Sequence, residues 1–384
     1  MSISAVPRLR RRASSLGRRV VSVLEQEAAL RGRKKALEEN VVFLESFGGN
    51  GMLCNPEAIF RACHAAADLR PLRFVWGLSA GAWSDPARAE LADDPRVTFV
   101  RRRSPAYYRA VGSARYLVNN ATFPHAFAKR AGQTYVNTWH GTPLKAMGYD
   151  MPGGASESAN IVRNFVSADF LLAPNELTER MYLDAYRMRS IYRGALLRVG
   201  TPRVDRQFSG ESDRARARSR LSPGGVGVGA DERIVLFAPT WRGSFAHPDD
   251  DLDGLCREVR SFAAGLRPGL RLLVKVHQRI YQDAYADGRL ADFLVPNHVP
   301  TNDLLAVTDI LVSDYSSIVV DFLATNGQLV IFAPDVERYG SSRGFNVSPG
   351  ELPAPVCTDI AALTVAVNGL GADPRYPDAA HTRD

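Results

Sequence analysis

The sequence predicts an α/β protein built from two Rossmann-like, doubly wound halves. Three observations predict it. Short apolar runs read as buried strands and alternate with helical patterns, as in a parallel sheet covered on both faces. The alternation breaks at Ser222 to Ala230, where four Gly and one Pro suit neither helix nor strand, and then restarts. Four of the strand-like runs end in Gly, Ser, Thr, His, Arg or Lys, at the carboxyl ends where open α/β sheets bind ligands.

Along the chain, residues 1–40 form a basic segment. Its first 35 residues carry Arg8, Arg10, Arg11, Arg12, Arg18, Arg19, Arg31, Arg33, Lys34 and Lys35 against only Glu25 and Glu27. Leu16, Val20, Val23, Leu24 and Leu30 fall near helical spacing among them. One reading is an amphipathic helix on an anionic membrane surface, where each nearby cation adds about 1 kcal/mol. The other is a solvated basic tail. Arg101-Arg102-Arg103 could face the same surface or simply end a strand in solvent.

The first half, 41–205, opens with a strand at Val41 to Glu45. A Gly-rich turn, Ser46 to Gly51, and a helix from Pro56 come next. Further strands are expected at Arg73–Trp76, Val97–Val100, Tyr116–Val118, Thr134–Thr138 and Phe170–Ala173, with a helix over Asn175–Arg187. The second half, 206–384, has expected strands at Ile234–Ala238, Leu272–Val276, Ile310–Ser313 and Leu329–Phe332. Helices are expected over Leu252–Leu266 and Ser317–Thr325. Two such halves facing a cleft are the GT-B arrangement.

Composition agrees with this and sets limits. The 384 residues are 45% hydrophobic and 23% charged, ordinary globular usage at a length that favours two domains. No run of about 18 apolar residues occurs, so no helix is expected to cross a bilayer. The basic N-terminus does not read as a secretory signal, because Glu25 and Glu27 interrupt the apolar stretch beyond it. Cys54, Cys63, Cys256 and Cys357 are scattered, which fits a reducing cytosol better than a disulfide or zinc framework. The net charge of +7 suits anionic partners without naming them. The expected location is cytoplasmic.

The strand-end motifs carry the chemistry. His140 comes just after a strand, between Trp139 and Gly141. Neutral imidazole can accept a hydroxyl proton near neutrality, Gly141 permits close backbone approach, and Thr142 and Lys145 add a donor and a cation. A structural histidine at a strand end is the alternative. Thr240 and Arg242 come after Pro239. The planar guanidinium of Arg242 suits phosphate oxygens, or it can stack on Trp241. Lys275 and His277 alternate along one strand and so share a face, where they could meet a diphosphate; alternatively Lys275 snorkels and His277 caps the strand. Ser316 and Ser317 are good N-cap residues at a helix start that also presents free amides to an anion. Asp321 in its first turns favours that start. Asp314 can hold a ribose or cytidine hydroxyl, or orient a neighbouring donor.

Several common chemistries are missing. There is no GxxxxGK[ST] loop, no GxGxxG with a spaced acid, no HExxH, GxSxG or DxD cluster, and Asp249-Asp250-Asp251 reads as a solvated loop. No metal ligand and no cofactor are expected.

Taken in order, Trp139-His140-Gly141-Thr142-Pro143-Leu144-Lys145, Ala238-Pro239-Thr240-Trp241-Arg242, Lys275-Val276-His277 and Ser313-Asp314-Tyr315-Ser316-Ser317 resemble the CDP-glycerol:poly(glycerophosphate) glycerophosphotransferase family, the teichoic acid primases and polymerases. Arg343-Gly344-Phe345 and Pro349-Gly350 extend the resemblance. One departure is Gln278, where the family usually has Pro. The resemblance implies a GT-B fold and transfer of an alditol phosphate from CDP-glycerol, or a related CDP-alditol, to a hydroxyl of a lipid-linked saccharide or growing glycan. His140 would be the general base, and CMP would leave. Arg242, His277, Ser316 and Ser317, with Thr240, would hold the diphosphate and stabilise the leaving charge, with Asp314 beside them. His277 thereby counts as catalytic together with His140. Gly141, Thr142, Lys145 and Lys275 complete the expected substrate-binding set. The expected partners are the CDP-alditol, the lipid-linked acceptor and an anionic membrane surface, with no nucleic acid. The resemblance also implies a peripheral place on the inner face of the cell membrane.

Two other readings compete. A GT-B glycosyltransferase using a nucleotide sugar would need the same phosphate-holding strand ends. A non-enzymatic basic protein binding membrane or nucleic acid would use the N-terminus and leave the four motifs unexplained.

Overall fold

The computed structural model describes residues 5–208, 210–221, 227–229, 231–240, 251–297, 299–325 and 327–372. Arg242, Trp241, Asp249 and most of the Gly-rich break lie outside them. The chain divides into two compact units. One is Met1–His140 with Ala155–Pro202, and the other is Gly141–Gly154 with Arg203–Asp384. The two-unit expectation placed the division at 205/206. Contacts instead divide the chain at Pro202/Arg203, and a segment from the first half belongs to the second unit.

The first unit holds a seven-stranded parallel sheet. Its strands are β1 (Glu38–Glu45), β2 (Arg73–Leu78), β3 (Val97–Arg101), β4 (Ala114–Asn119), β5 (Thr134–Asn137), β6 (Phe170–Leu172) and β7 (Ala195–Leu197). The order is β3-β2-β1-β4-β5-β6-β7, so the winding reverses between β1 and β4. Alternation along β1 sends Val41 and Phe43 to one core and Val42 and Leu44 to the other. A strand apolar on both faces is what a doubly covered parallel sheet requires. Phe43, Tyr107, Phe123 and Tyr135 fill one layer, and Phe60, Phe74 and Trp76 the other.

The second unit holds five parallel strands: β8 (Arg233–Ala238), β9 (Leu270–Val274), β10 (Ile310–Ser313), β11 (Gln328–Phe332) and β12 (Val356–Cys357). Their order is β12-β11-β10-β8-β9, so this sheet reverses between β8 and β10. Ile234, Leu236 and Leu311 pack on one face and Val235, Phe237 and Val312 on the other. Each sequence-predicted strand is present. The short β7 and the two-residue edge strand β12 were not anticipated.

The basic N-terminus is a helix, Ala5–Arg33. It docks on the helix Pro105–Ser113, where a β-carbon on Gly32 would lie 2.2 Å from the carbonyl oxygen of Tyr108. Glu25, on the docked side, takes two hydrogen bonds from Arg103 at 2.5 and 2.8 Å. Val20, Val23, Leu24 and Leu30 remain more than half exposed, beside exposed Arg19, Arg31 and Arg33. The Arg101-Arg102-Arg103 run does not present three free charges. Arg102 pairs with Glu45, Arg103 with Glu25, and Arg101 lies over the Trp83 ring. Among the described residues, no helix is long and apolar enough to cross a membrane.

Candidate functional site

The first unit's reversal point is built from three strand ends. After β5 the chain takes a left-handed step at Trp139, φ 45°. Such a conformation in a bulky residue persists only when its surroundings fix it. They do so here. Asn137 Oδ1 accepts the Trp139 N–H at 2.9 Å, and Asn55 Nδ2 donates to the Trp139 carbonyl at 3.2 Å. The indole is buried, edge-on to Phe165 and stacked on the His140 ring at 4.4 Å.

The His140 ring is thereby oriented. Its Nδ1 lies 2.7 Å from the carbonyl oxygen of Asn120, just past β4. A carbonyl can only accept, so Nδ1 carries the proton and Nε2 of the neutral ring keeps its lone pair. Phe47, just past β1, packs edge-on against the imidazole, with ring centroids 5.3 Å apart. The Phe47 N–H donates to Asn120 Oδ1 at 2.8 Å. His140 thus contacts the ends of β1 and β4, on either side of the reversal.

The last residue of β1, Glu45, is fully buried and paired in register with Asn119. It accepts from Tyr107 Oη at 2.7 Å, Arg102 Nε at 3.2 Å and Asn119 Nδ2 at 3.4 Å. Burial pushes its carboxyl above the usual range, and Arg102 opposes that shift. Three donors on one buried carboxylate tie β1 to β4 and to the strand-end loop carrying Arg102.

The second unit's reversal point gathers residues from three of the four motifs. Asp314, buried after β10, accepts the Thr240 N–H, each carboxylate oxygen lying 3.0 Å from the nitrogen. It also accepts the Tyr315 N–H at 2.6 Å. It thereby joins the end of β8 to the end of β10. Lys145 Nζ reaches Thr240 Oγ1 at 3.5 Å and lies 5.7 Å from the centre of the Tyr339 ring.

The strap that carries Lys145 is held by backbone pairing with Gly344 to Val347. The Ala146 N–H donates to the Gly344 carbonyl, and the Asn346 and Val347 N–H groups both donate to the Leu144 carbonyl. Asn346 Nδ2 adds bonds to the carbonyls of Pro143 and Lys145 at 3.0 and 2.8 Å. Thr142 in this strap is buried. Gly141 comes closest to the serine pair. A β-carbon there would lie 2.5 Å from Ser317 Oγ, and Gly141 has φ 152°.

The helix after the serines differs from expectation. It runs only from Ile318 to Phe322. Ser317 occupies its N-cap position but makes no side-chain capping bond, while Ser316 Oγ accepts the Ile318 N–H at 3.4 Å. Asp321 falls in the first turn of this helix. It is buried, with Arg203 Nε at 2.7 Å, Arg203 Nη2 at 2.8 Å and Asn302 Nδ2 at 3.3 Å. A buried carboxylate is accommodated by such a fork, and the dipole of five residues is too short to substitute for it.

Lys275 and His277 lie past the end of β9, not within it. Val274 and Val276 are buried and His277 is exposed, so the alternation survives beyond the strand. Lys275 Nζ donates to the carbonyls of Val299 at 3.0 Å and Pro296 at 3.4 Å, contacts separate from those joining the other motifs. Gln278 begins the helix Gln278–Asp287, a first-turn position that accommodates Pro and Gln alike.

Burial pushes the Lys275 amine down to about 8 from its usual 10.5. Between those values the unfolded chain binds more protons, so stability should rise with pH across that window and lie flat below it. Lys275→Met should abolish the rise. Urea midpoints at pH 7.5 and 9.5 test this, and equal gains in wild type and variant would contradict it.

Sequence reasoning missed Asn120, Phe47, Arg203 and Asn302. The strand-end rule applied to Asn119-Asn120 after Tyr116–Val118 would have flagged the first. Gly200-Thr201-Pro202, a turn signal after a short apolar run, would have flagged Arg203.

Comparison with known proteins gives a consistent picture. The model of a family described as CDP-Glycerol:Poly(glycerophosphate) glycerophosphotransferase matches residues 28–382. A teichoic acid poly(glycerol phosphate) polymerase of Bacillus spizizenii is 27% identical over 317 residues, 80% of this chain and 77% of that protein. A teichoic acid glycerol-phosphate transferase of Staphylococcus aureus is 25% identical, covering 88% of this chain and 85% of that one. A teichoic acid poly(glycerol phosphate) polymerase of Staphylococcus epidermidis is 27% identical over 87% of this chain, which spans only 46% of that longer protein. A solved structure of the wall teichoic acid polymerase TagF superposes with a TM-score of 0.73 at 23% identity, over 97% of this chain and 90% of that one. A variant of TagF soaked with CDPG gives the same score over 96% and 89%. At that identity the likeness speaks for a shared fold.

Proposed function

The chain belongs to the CDP-glycerol:poly(glycerophosphate) glycerophosphotransferase family, and from that premise we propose that it transfers glycerol phosphate from CDP-glycerol to a hydroxyl of a lipid-linked saccharide or growing teichoic acid chain. The observation that carries this reading is the hydrogen bond from His140 Nδ1 to the Asn120 carbonyl. It leaves Nε2 as the basic nitrogen, on a ring held by Trp139 and Phe47.

In the proposed reaction Nε2 takes the acceptor's hydroxyl proton as the oxygen attacks the phosphorus bearing glycerol. The bond from that phosphorus to the bridging oxygen breaks, and CMP leaves with the electron pair. Phosphoryl transfer depends mainly on positioning and charge stabilisation. The second unit's cluster supports that part. Lys145 supplies a cation, Thr240, Ser316 and Ser317 supply hydroxyls, and Gly141, lacking a side chain, lets the backbone pack against Ser317. Arg242 and His277 are assigned to the diphosphate by their motifs alone. Lys275 is assigned to the same binding set through its motif, acting by ordering the Pro296–Val299 carbonyls. The acceptor is assigned to the first unit and the CDP-alditol to the second.

The exposed Val20, Val23, Leu24 and Leu30, interspersed with arginines, support a resting place on an anionic inner membrane face. One experiment tests both parts. The full chain, incubated with CDP-glycerol and a lipid-linked acceptor in phosphatidylglycerol vesicles, should release CMP. Zwitterionic vesicles should support several-fold less. No CMP with any lipid acceptor would refute the transfer reading. Equal rates and equal flotation on both vesicle types would remove the membrane role.

A further inference from the structure

We propose that Arg203 and Asp321 form a buried clamp that positions Gly141 against Ser317, and so governs the affinity for the CDP-alditol. The inference rests on reading that cluster as the holder of the diphosphate.

The clamp joins three segments of the second unit. Arg203 lies in the 3-10 turn Pro202–Phe208, Asp321 in the helix Ile318–Phe322 and Asn302 in the helix Thr301–Leu305. All three residues are buried, each less than a tenth exposed. The fork is bidentate, at 2.7 and 2.8 Å, and Asn302 adds a third donor to the same carboxylate. The Asp321 N–H bonds the Ser317 carbonyl at 3.4 Å, which places the clamp one turn from the serine. Arg203 Nη2 also borders the glycine, lying 3.6 Å from where a Gly141 β-carbon would stand, while Ser317 Oγ is 2.5 Å from the same point. Gly141 is thus packed into a corner whose two walls, Ser317 and Arg203, are tied together through Asp321.

Stability alone gives a weak reason for such a pair. Desolvating two charges offsets most of their attraction, and apolar residues of similar volume often replace a buried ion pair without loss. What apolar residues cannot reproduce is the directional fork that sets the register of one segment against another. Arg203 is therefore a positioning residue, acting on the donor through Gly141 and Ser317.

The double variant Arg203→Met/Asp321→Leu separates the two roles. It should melt within a few degrees of wild type, yet bind CDP-glycerol at least about tenfold more weakly by calorimetry, with KM for CDP-glycerol raised in parallel. A double variant with wild-type melting and affinity within twofold would overturn the inference. Should it fail to fold, Arg203→Lys decides, because it keeps the charge and loses the fork. Weakened binding in a folded protein supports the clamp, and wild-type affinity overturns it. A wild-type chain that neither binds CDP-glycerol nor releases CMP would remove the underlying reading together with this one. Normal wild-type behaviour with an unaffected variant removes this one alone.

Discussion

His140→Ala should reduce CMP release from CDP-glycerol in the presence of acceptor by about two to four orders of magnitude, the usual contribution of a positioned base. CDP-glycerol affinity should stay within about twofold. The asymmetry comes from the geometry. The ring is anchored on first-unit groups, the Asn120 carbonyl, Trp139 and Phe47, whereas the cluster proposed to hold the donor is made of second-unit residues. The carbonyl that orients the ring belongs to the backbone and survives the substitution. Imidazole added to the alanine variant should therefore restore part of the rate. Measuring kcat for CMP release alongside CDP-glycerol binding checks the result. A variant that keeps most of its activity would exclude His140 as the base, and one that loses binding and turnover together would point to a structural histidine.

Gly141→Ala should be nearly as damaging, by a different route. Its φ of 152° lies where side chains are disfavoured, at a cost of order 1–3 kcal/mol. The added methyl would also stand 2.5 Å from Ser317 Oγ and 2.8 Å from its Cβ, so backbone or serine must move. If the serine turn holds the diphosphate, that movement should raise KM for CDP-glycerol at least tenfold. Adding Ser317→Gly removes both clashing atoms but leaves the backbone strain. The double variant should therefore be more stable in urea than Gly141→Ala, without regaining wild-type affinity. Wild-type KM in Gly141→Ala would sink this account of the glycine.

Local apolar pattern made most of the fold legible. Runs such as Ile234–Ala238 and Ile310–Ser313 are buried on both faces, so their hydrophobicity is continuous and hard to mistake. β7 and β12 escaped because three and two residues at a sheet edge carry little pattern. Gly141, Lys145, Thr240, Asp314 and Ser317 could be named as candidates because each comes after a strand, where open α/β sheets bind ligands. The partners that hold them could not. Arg203 meets Asp321 across 118 positions and Asn346 meets Pro143 across 203, distances over which composition and periodicity carry no signal. Lys275 shows a further limit. A lysine at a strand end looks free to meet a ligand, and only coordinates reveal the Val299 carbonyl that occupies it.

The Gly141–Gly154 strap, taken from the first half of the sequence into the second unit, bears on engineering. Exchanging the second unit, the proposed donor module, between relatives to change the alditol invites a single crossover near residue 203. Such a chimaera would keep the parent's Leu144–Ala146 pairing against a foreign Gly344–Val347 and a foreign Thr240. A graft meant to carry specificity intact needs two inserts, the short strap and the long carboxyl portion, exchanged as one set.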